Sequence, residues 1–409
     1  MGETRANRLR LWTSILITGA GVSSIGDFIY LVAINVFVLD QTHSAAAVAG
    51  MWVASRVASL SVGPWAGSVT DRFSRRKQLI LIEITRALLI GVLPFCREIA
   101  GIYADLFMLG VCSTFFSNVF LPYQTLLIPQ EQRKRVNAVI STLRYSASLT
   151  GPAIAGVLLL HGDVTLPLWL DAGSFLVSGV SFILLPPLDP ESTGSLSSNM
   201  WRMLRLDWWD AVAFLRQNRL FTGVLILYIA IGVLGLTADS QEVVFANQAL
   251  HLGQLGYGLM VTAAGVGFVS GSLLLSVFAK RLPTHGLLGI GTLGSAAGYL
   301  LYSFAHNFWW AVAGLIVLGL FGSAAGVGFT TYRQHTVPVS HMGRLNNVIG
   351  PPQQLLSIIL LLLGGFVATR YGVRSLMIGM TVPMCIAGMI MAVLVLLPQN
   401  RMKVSTVDV

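Results

Sequence analysis

Tyr123-Gln-Thr-Leu-Leu-Ile-Pro129, followed by Arg135-Val-Asn137-Ala-Val-Ile140, returns later in the chain as Tyr332-Arg-Gln-His-Thr-Val-Pro338, followed by Arg344-Leu-Asn346-Asn-Val-Ile349. The offset is 209 residues throughout, and Arg72 falls on Arg281 at the same offset. A chain of 409 residues that repeats itself in this way reads as two like halves. Each copy lies where one long apolar run ends and the next begins, so the repeating element is a set of membrane spans. Parallel repeats of six spans, related by an axis along the membrane normal, place a substrate site at their interface.

Composition agrees. Hydrophobic residues make up 55% of the chain and charged residues 11%, whereas soluble proteins carry about 25% charged residues. A hydrocarbon core is crossed by roughly 20 apolar residues of helix. Runs of that kind occur at 11–39, 45–69, 78–96, 103–128, 137–160 and 165–187, then at 219–248, 255–279, 286–304, 308–334, 345–369 and 374–397. They are continuously apolar rather than alternating, and an open sheet edge cannot sit in lipid, so strands are disfavoured. The expected fold is an all-α integral membrane protein of about twelve transmembrane helices in two pseudo-symmetric six-helix bundles. The first run is too long for a signal-peptide core and has no small-residue cleavage site, so it reads as a retained span.

The stretch after the sixth run is different. It opens Pro186-Pro-Leu-Asp-Pro190 and continues through Ser, Thr, Gly and Asn. It then sets Trp201, Leu204, Trp208, Ala211 and Leu215 on one helical face. This predicts an amphipathic helix on the membrane surface. The expected organisation is an N-terminal bundle over 1–190, a cytoplasmic linker over 191–217 and a C-terminal bundle over 218–409.

The net charge of +9 sits mostly on one side of these spans. Arg5, Arg8, Arg10, Arg72, Arg75, Arg76, Lys77, Arg133, Lys134 and Arg135 share it with Arg202, Arg205, Arg216, Arg219, Lys280, Arg281, Arg344, Arg401 and Lys403. The other side has Arg97, Arg370 and Arg374. By the positive-inside rule both termini are cytoplasmic and the number of spans is even. The location expected is the plasma (inner) membrane. The basic charge is thus a topology signal and requires no nucleic-acid partner. Cys96, Cys112 and Cys385 lack pairing or metal spacing, as do the seven histidines, so no metal site is expected.

The loop between the second and third runs holds Gly67-x-x-x-Asp71-Arg72-x-x-Arg75-Arg76. The glycine permits close helix approach. The acid and the arginines suit charge-assisted contacts to a neighbouring helix end, a latch for one conformation. The pattern resembles the signature of the major facilitator superfamily in this loop, Gly-x-x-x-Asp-Arg-x-Gly-Arg-Arg, with Ser74 in place of the second glycine. Further similarity lies in Gly26-Asp27, Arg86, Arg135-Val-Asn137 and Asp171-Ala-Gly-Ser-Phe175, a combination that looks like the branch of macrolide efflux proteins and the enterobactin exporter. Gly151-Pro152-x-x-x-Gly156 is similar to the end of the family's antiporter motif, with Ala155 in place of one glycine. The resemblance implies a transporter and tilts toward export.

Ionisable residues inside spans are costly and mark functional sites by default. Asp27 lies halfway along the first run, with Tyr30 one turn on, and is the candidate for proton coupling or substrate contact. Arg56, Arg86, Arg144 and Arg333 are embedded arginines; Glu83 precedes Arg86 by three residues, so those two can satisfy each other. Asp239 and Glu242 are read as sharing one face of the seventh span, where they invite a shared proton or a cationic group. Asp171 reads as structural. Asn118, Tyr123, Gln124, Tyr332 and Gln334 are candidates to line the cavity. Gly319, Gly322 and Gly326, and Gly267 with Gly271, read as helix-packing faces.

No P-loop, Gly-x-Ser-x-Gly or His-Glu-x-x-His pattern occurs. The expectation is therefore a secondary transporter without a cofactor: a proton-coupled exporter of an amphipathic small molecule, drug-like or siderophore-like, acting as a monomer in the lipid bilayer. The alternatives are an importer or uncoupled facilitator, and a membrane enzyme, which the absent catalytic patterns disfavour.

Overall fold

The structure is a computed structural model. It describes residues 2–70, 73–96, 98–160, 164–188, 200–278, 282–337 and 339–405. Apolar runs in lipid must satisfy every backbone amide internally, and the described chain is helical accordingly. The helices are α1 (Gly2–Thr42), α2 (Ala45–Thr70), α3 (Arg75–Val92), α4 (Ile99–Leu127), α5 (Gln130–Leu159), α6 (Thr165–Leu184), α7 (Met200–Gln217), α8 (Arg219–Asp239), α9 (Glu242–Val244), α10 (Gln254–Phe278), α11 (Thr284–Ser303), α12 (Phe308–Thr336), α13 (Val339–Tyr371), α14 (Val373–Leu396) and α15 (Pro398–Ser405). Among the described residues ten helices are long and apolar enough to cross a membrane. α5 and α11, where the fifth and ninth spans were expected, fall outside that set. α5 opens with the polar run Gln130–Arg135. α11 is rich in glycine, which lowers its hydropathy but allows close packing: a Cβ on Gly298 would lie 2.4 Å from the backbone nitrogen of Leu318 on α12.

The chain divides into two compact units, Met1–Thr193 with Gly253–Thr262, and Gly194–Leu252 with Ala263–Val409. In the first unit α1 packs on α5 and α6, α2 on α4, and α3 on α4 and α6. In the second α8 packs on α13 and α14, and α11 on α12 and α14. α10 meets α12 there through Gly267 and Gly319, where a Cβ on either would come within 2.6 Å of the other helix's backbone. Each unit thus repeats the other's internal packing. Gly326 faces open space and takes no part in this packing.

The 209-residue repeat is a repeat of cores. In the first unit Tyr123 is buried with Leu16, Leu79, Ile128, Val136 and Phe182. In the second unit Tyr332 is buried with Leu225, Leu288, Val337, Leu345 and Met391, each the residue 209 positions on from its counterpart. The repeated motif therefore specifies how the helices of one bundle meet.

α7 is a helix of 18 residues as expected, but it packs against α8 and α13. Val212, Phe214 and Leu215 join the apolar cluster around Tyr332. Trp208 and Trp209 stand half-exposed at right angles to each other, leaving an aromatic edge for the interface.

The seventh expected span, 219–248, is corrected. α8 ends at Asp239, a turn follows at Ser240 and Gln241, and Glu242 opens the short helix α9 before a π-helical stretch, Phe245–Ala249. The Ser240 hydroxyl donates to the Thr237 carbonyl at 2.7 Å, which occupies an acceptor at the helix end. Asp239 and Glu242 are therefore not on one continuous helical face.

Candidate functional site

Four helices of the first unit bring together a charged cluster. Arg86 on α3 projects between the rings of Phe175 and Phe116, with its guanidinium carbon 4.2 Å and 5.4 Å from their centroids. Such cation–π contacts strengthen when water is excluded. Its guanidinium lies 3.8 Å from an Asp27 oxygen on α1 and 3.8 Å from a Glu83 oxygen on its own helix. It also donates to the Ser113 hydroxyl on α4 at 3.1 Å. The i, i+3 pairing of Glu83 with Arg86 follows from the sequence; the reach to Asp27 does not.

The carboxyl groups differ in access. Glu83 and Asp171 are fully buried, whereas the Asp27 side chain is 48% exposed. Ser174 donates to Asp171 at 3.1 Å. Both press against α1 where Gly26 has no side chain: a Cβ there would fall 2.2 Å from the Ser174 hydroxyl and 2.4 Å from an Asp171 oxygen. Gly26 is what lets α1 and α6 close over the cluster. The second oxygen of Asp171, both oxygens of Glu83 and Nε of Arg86 have no hydrogen-bond partner among the described residues. Arg144 on α5 adds a second positive charge acting on Asp27 at longer range.

Beside this cluster α1, α2 and α4 enclose a cleft of about 420 Å³. Tyr30, one turn after Asp27, lines it, as do Ser113 and Arg56. Gly151 seats α5 on α1 next to Asp27, since a Cβ there would meet that of Phe28 at 2.6 Å. Pro152 and Gly156 lie against Gly258, in the segment that clusters with this unit.

In the second unit the Tyr299 hydroxyl on α11 donates to Asp239 at 2.8 Å. One oxygen of the nearby Glu242 has no partner among the described residues. Tyr299 was not legible as a site residue, because nothing in the sequence ties α11 to the end of α8. A separate cavity of about 410 Å³ between α8, α12 and α13 holds Arg333 and the stacked rings of Tyr228 and Phe329.

The other candidates are dispersed. Tyr123 is a core residue whose hydroxyl donates to the Pro186 carbonyl at 2.7 Å, and Tyr332 is its core counterpart. Gln124 is buried, and the Asn118 amide donates to the Thr114 carbonyl at 2.8 Å on its own helix. In the loop motif Arg76 donates to the Ile183 carbonyl, at the end of α6, at 2.7 Å. Arg75 also has an interaction of its own. Asp71 and Arg72 lie outside the described residues, as do the surroundings of Gly67 and the side chain of Gln334.

A helical fold with duplicated packing and charged groups enclosed in its spans is the frame of a multi-pass membrane protein. The sequence pattern of the Major Facilitator Superfamily matches residues 16–243 and 220–407, and the chain belongs to that family. It is 27% identical to an uncharacterised transporter of this type, YfiS of Bacillus subtilis, over 88% of this chain and 87% of that one. It is 23% identical to macrolide efflux protein A of Streptococcus pyogenes, over 93% and 95% of the two chains. Identity with the enterobactin exporter EntS of Citrobacter koseri is 25%, over 78% and 76%. The fold superposes on a bacterial homologue of the iron transporter ferroportin with a TM-score of 0.70 at 16% identity, covering 94% of this chain and 99% of that one. The chain is a multi-pass membrane protein, and a small molecule is its substrate.

Proposed function

We propose that this transporter is a proton-coupled exporter of an amphipathic small molecule, drug-like or siderophore-like, working by alternating access of its two halves. The halves are 1–190 and 218–409, joined by 191–217; the protein is a monomer of the plasma (inner) membrane with both termini in the cytoplasm. The observation that carries the coupling is Asp27, open to its surroundings beside the cleft, with Arg86 3.8 Å away. We take the Arg86 guanidinium and a proton as the two alternative partners of this carboxyl within its span. Arg86 has Glu83 as a second partner at the same distance, which allows it to release Asp27 when a proton arrives. Exchange of that proton for substrate couples export to the proton gradient. Export is supported by the names of two relatives, a macrolide efflux protein and an enterobactin exporter. Asp239, held by Tyr299, and Glu242 are the groups that would meet a cationic or donor-rich part of the substrate.

The test uses purified protein in proteoliposomes with a panel of amphipathic compounds. Substrate addition is expected to move protons in the opposite direction to substrate. Transport with no accompanying proton movement would make the protein a facilitator; protons moving with substrate would make it an importer under a physiological gradient.

A further inference from the structure

Arg56 is a charged group that the coupling scheme leaves unused. It lies mid-way along α2 and lines the 420 Å³ cleft of the first unit. It makes no hydrogen bond or ion pair with any described residue. An arginine in a span without an acidic partner is costly unless something anionic meets it. Ser55 and Ser59 flank it on the same helix and line the same cleft.

The α4 residues that line the same cleft have a complementary character. On α4 the Ser113 hydroxyl donates to the Leu109 carbonyl at 2.8 Å, Thr114 to Gly110 at 2.9 Å, and Ser117 to Thr114 at 2.9 Å. Their hydrogens are thus committed to the backbone; Ser113 also accepts from Arg86 at 3.1 Å, and the oxygen lone pairs left over are what these residues offer the cleft. On α2 the lining carries the positive charge and donors of Arg56; on α4 it offers acceptors. Tyr30 and Trp52 add aromatic surface, and the Trp52 indole is itself turned toward Asn35 at 3.3 Å. The volume lies within the range of about 300–1,000 Å³ for small-molecule sites.

From this arrangement we infer that the cleft binds a hydroxylated organic anion, its carboxylate or equivalent group on Arg56 and its hydroxyl donors toward Ser113, Thr114 and Ser117. This deepens the exporter reading by naming the chemistry of one end of the substrate. It rests on that reading only in taking the cleft as part of the transport path.

The experiment measures binding without transport, so its failure is distinct from a failure of proton coupling. Purified protein in phosphatidylcholine nanodiscs is titrated with 4-hydroxybenzoate, 4-hydroxybenzamide and benzoate by equilibrium dialysis. In the wild type 4-hydroxybenzoate is expected to bind about tenfold or more tightly than the amide, because a charge-assisted bidentate contact is lost. It is also expected to bind more tightly than benzoate, which lacks the donor. Arg56→Gln brings the acid to the affinity of the amide and leaves the amide unchanged, while Arg56→Lys keeps part of the preference. Equal affinity for acid and amide in the wild type overturns the proposal, and this comparison needs no variant to fold. A preference for the acid that survives in Arg56→Gln also overturns it. Anionic lipid offers the same charge, so the titration is repeated with phosphatidylglycerol added. Loss of binding on that addition, in the wild type only, assigns Arg56 to a lipid headgroup and overturns the proposal.

Discussion

At the scale of single residues, Gly26, Arg86 and Asp27 each have a separable task. Gly26 is set by sterics. A methyl group there would meet Asp171 and Ser174 at 2.4 Å and 2.2 Å, and Asp171 is fully buried with nowhere to retreat. Overpacking of this kind costs about 1–3 kcal/mol. Gly26→Ala is expected to lower the unfolding temperature in detergent, and adding Ser174→Gly is expected to recover part of the loss. Arg86 is the counter-charge of the fully buried Glu83. Removing one member of a buried pair is costly, about 3–5 kcal/mol, because the other is left alone. Arg86→Gln is expected to reduce the yield of folded protein, with Glu83→Gln in the same chain restoring it; no restoration would mean the pair is not the reason for the loss. Asp27→Asn keeps a hydrogen-bonding side chain but cannot exchange a proton. Uphill export under an imposed pH gradient is expected to disappear while counterflow continues. Loss of both would assign Asp27 to folding or binding, and retention of both would move coupling to Asp239 and Glu242.

At the scale of helices and loops, the charge pattern between α2 and α3 acts on a helix end. The last carbonyls of a helix have no partner within it. Arg76 supplies one to Ile183 near the end of α6, tying the start of α3 to that helix. We expect Arg76→Gln to leave membrane insertion intact and to slow transport in vesicles by several-fold. We expect Asp71→Asn, which removes the charge the loop arginines need, to behave in the same way. Unchanged rates in both would reduce the loop to a topology signal. The same scale explains the seventh span. Its apolar run was legible, but the turn at Ser240 and Gln241 was not, because neither Gly nor Pro marks it. The break depends on a side-chain bond to the Thr237 carbonyl and on Tyr299 reaching Asp239 from another helix.

At the scale of the whole molecule, topology is the quantity to test. The positive charges predict cytoplasmic termini, and Cys96, between α3 and α4, then lies at the outer face. With Cys112 and Cys385 replaced by alanine, Cys96 is expected to react with a membrane-impermeant maleimide from outside intact cells. A cysteine introduced as Ser405→Cys, at the end of α15, is expected to react only after the cells are opened. Labelling in the reverse pattern would invert the orientation.

The sequence by itself determined the class, the repeat and most helices. Those properties are written in runs of contiguous residues and in a fixed spacing, so they need no knowledge of which helix touches which. It also pointed to Asp27, Arg86 and the loop arginines, because a charge within an apolar run is visible in isolation. Only the tertiary structure decided what the repeated tyrosines are for. Tyr123 and Tyr332 sit in equivalent cores, since a helix's packing neighbours come from distant segments such as Leu16 and Phe182. It alone placed Asp171 beside Gly26, gave Asp239 its tyrosine and brought Arg56 into one cleft with the hydroxyls of α4. Periodicity shows that a helix has faces. Which face meets which partner follows from the packing of whole bundles, where close approach at a few glycines decides the neighbours.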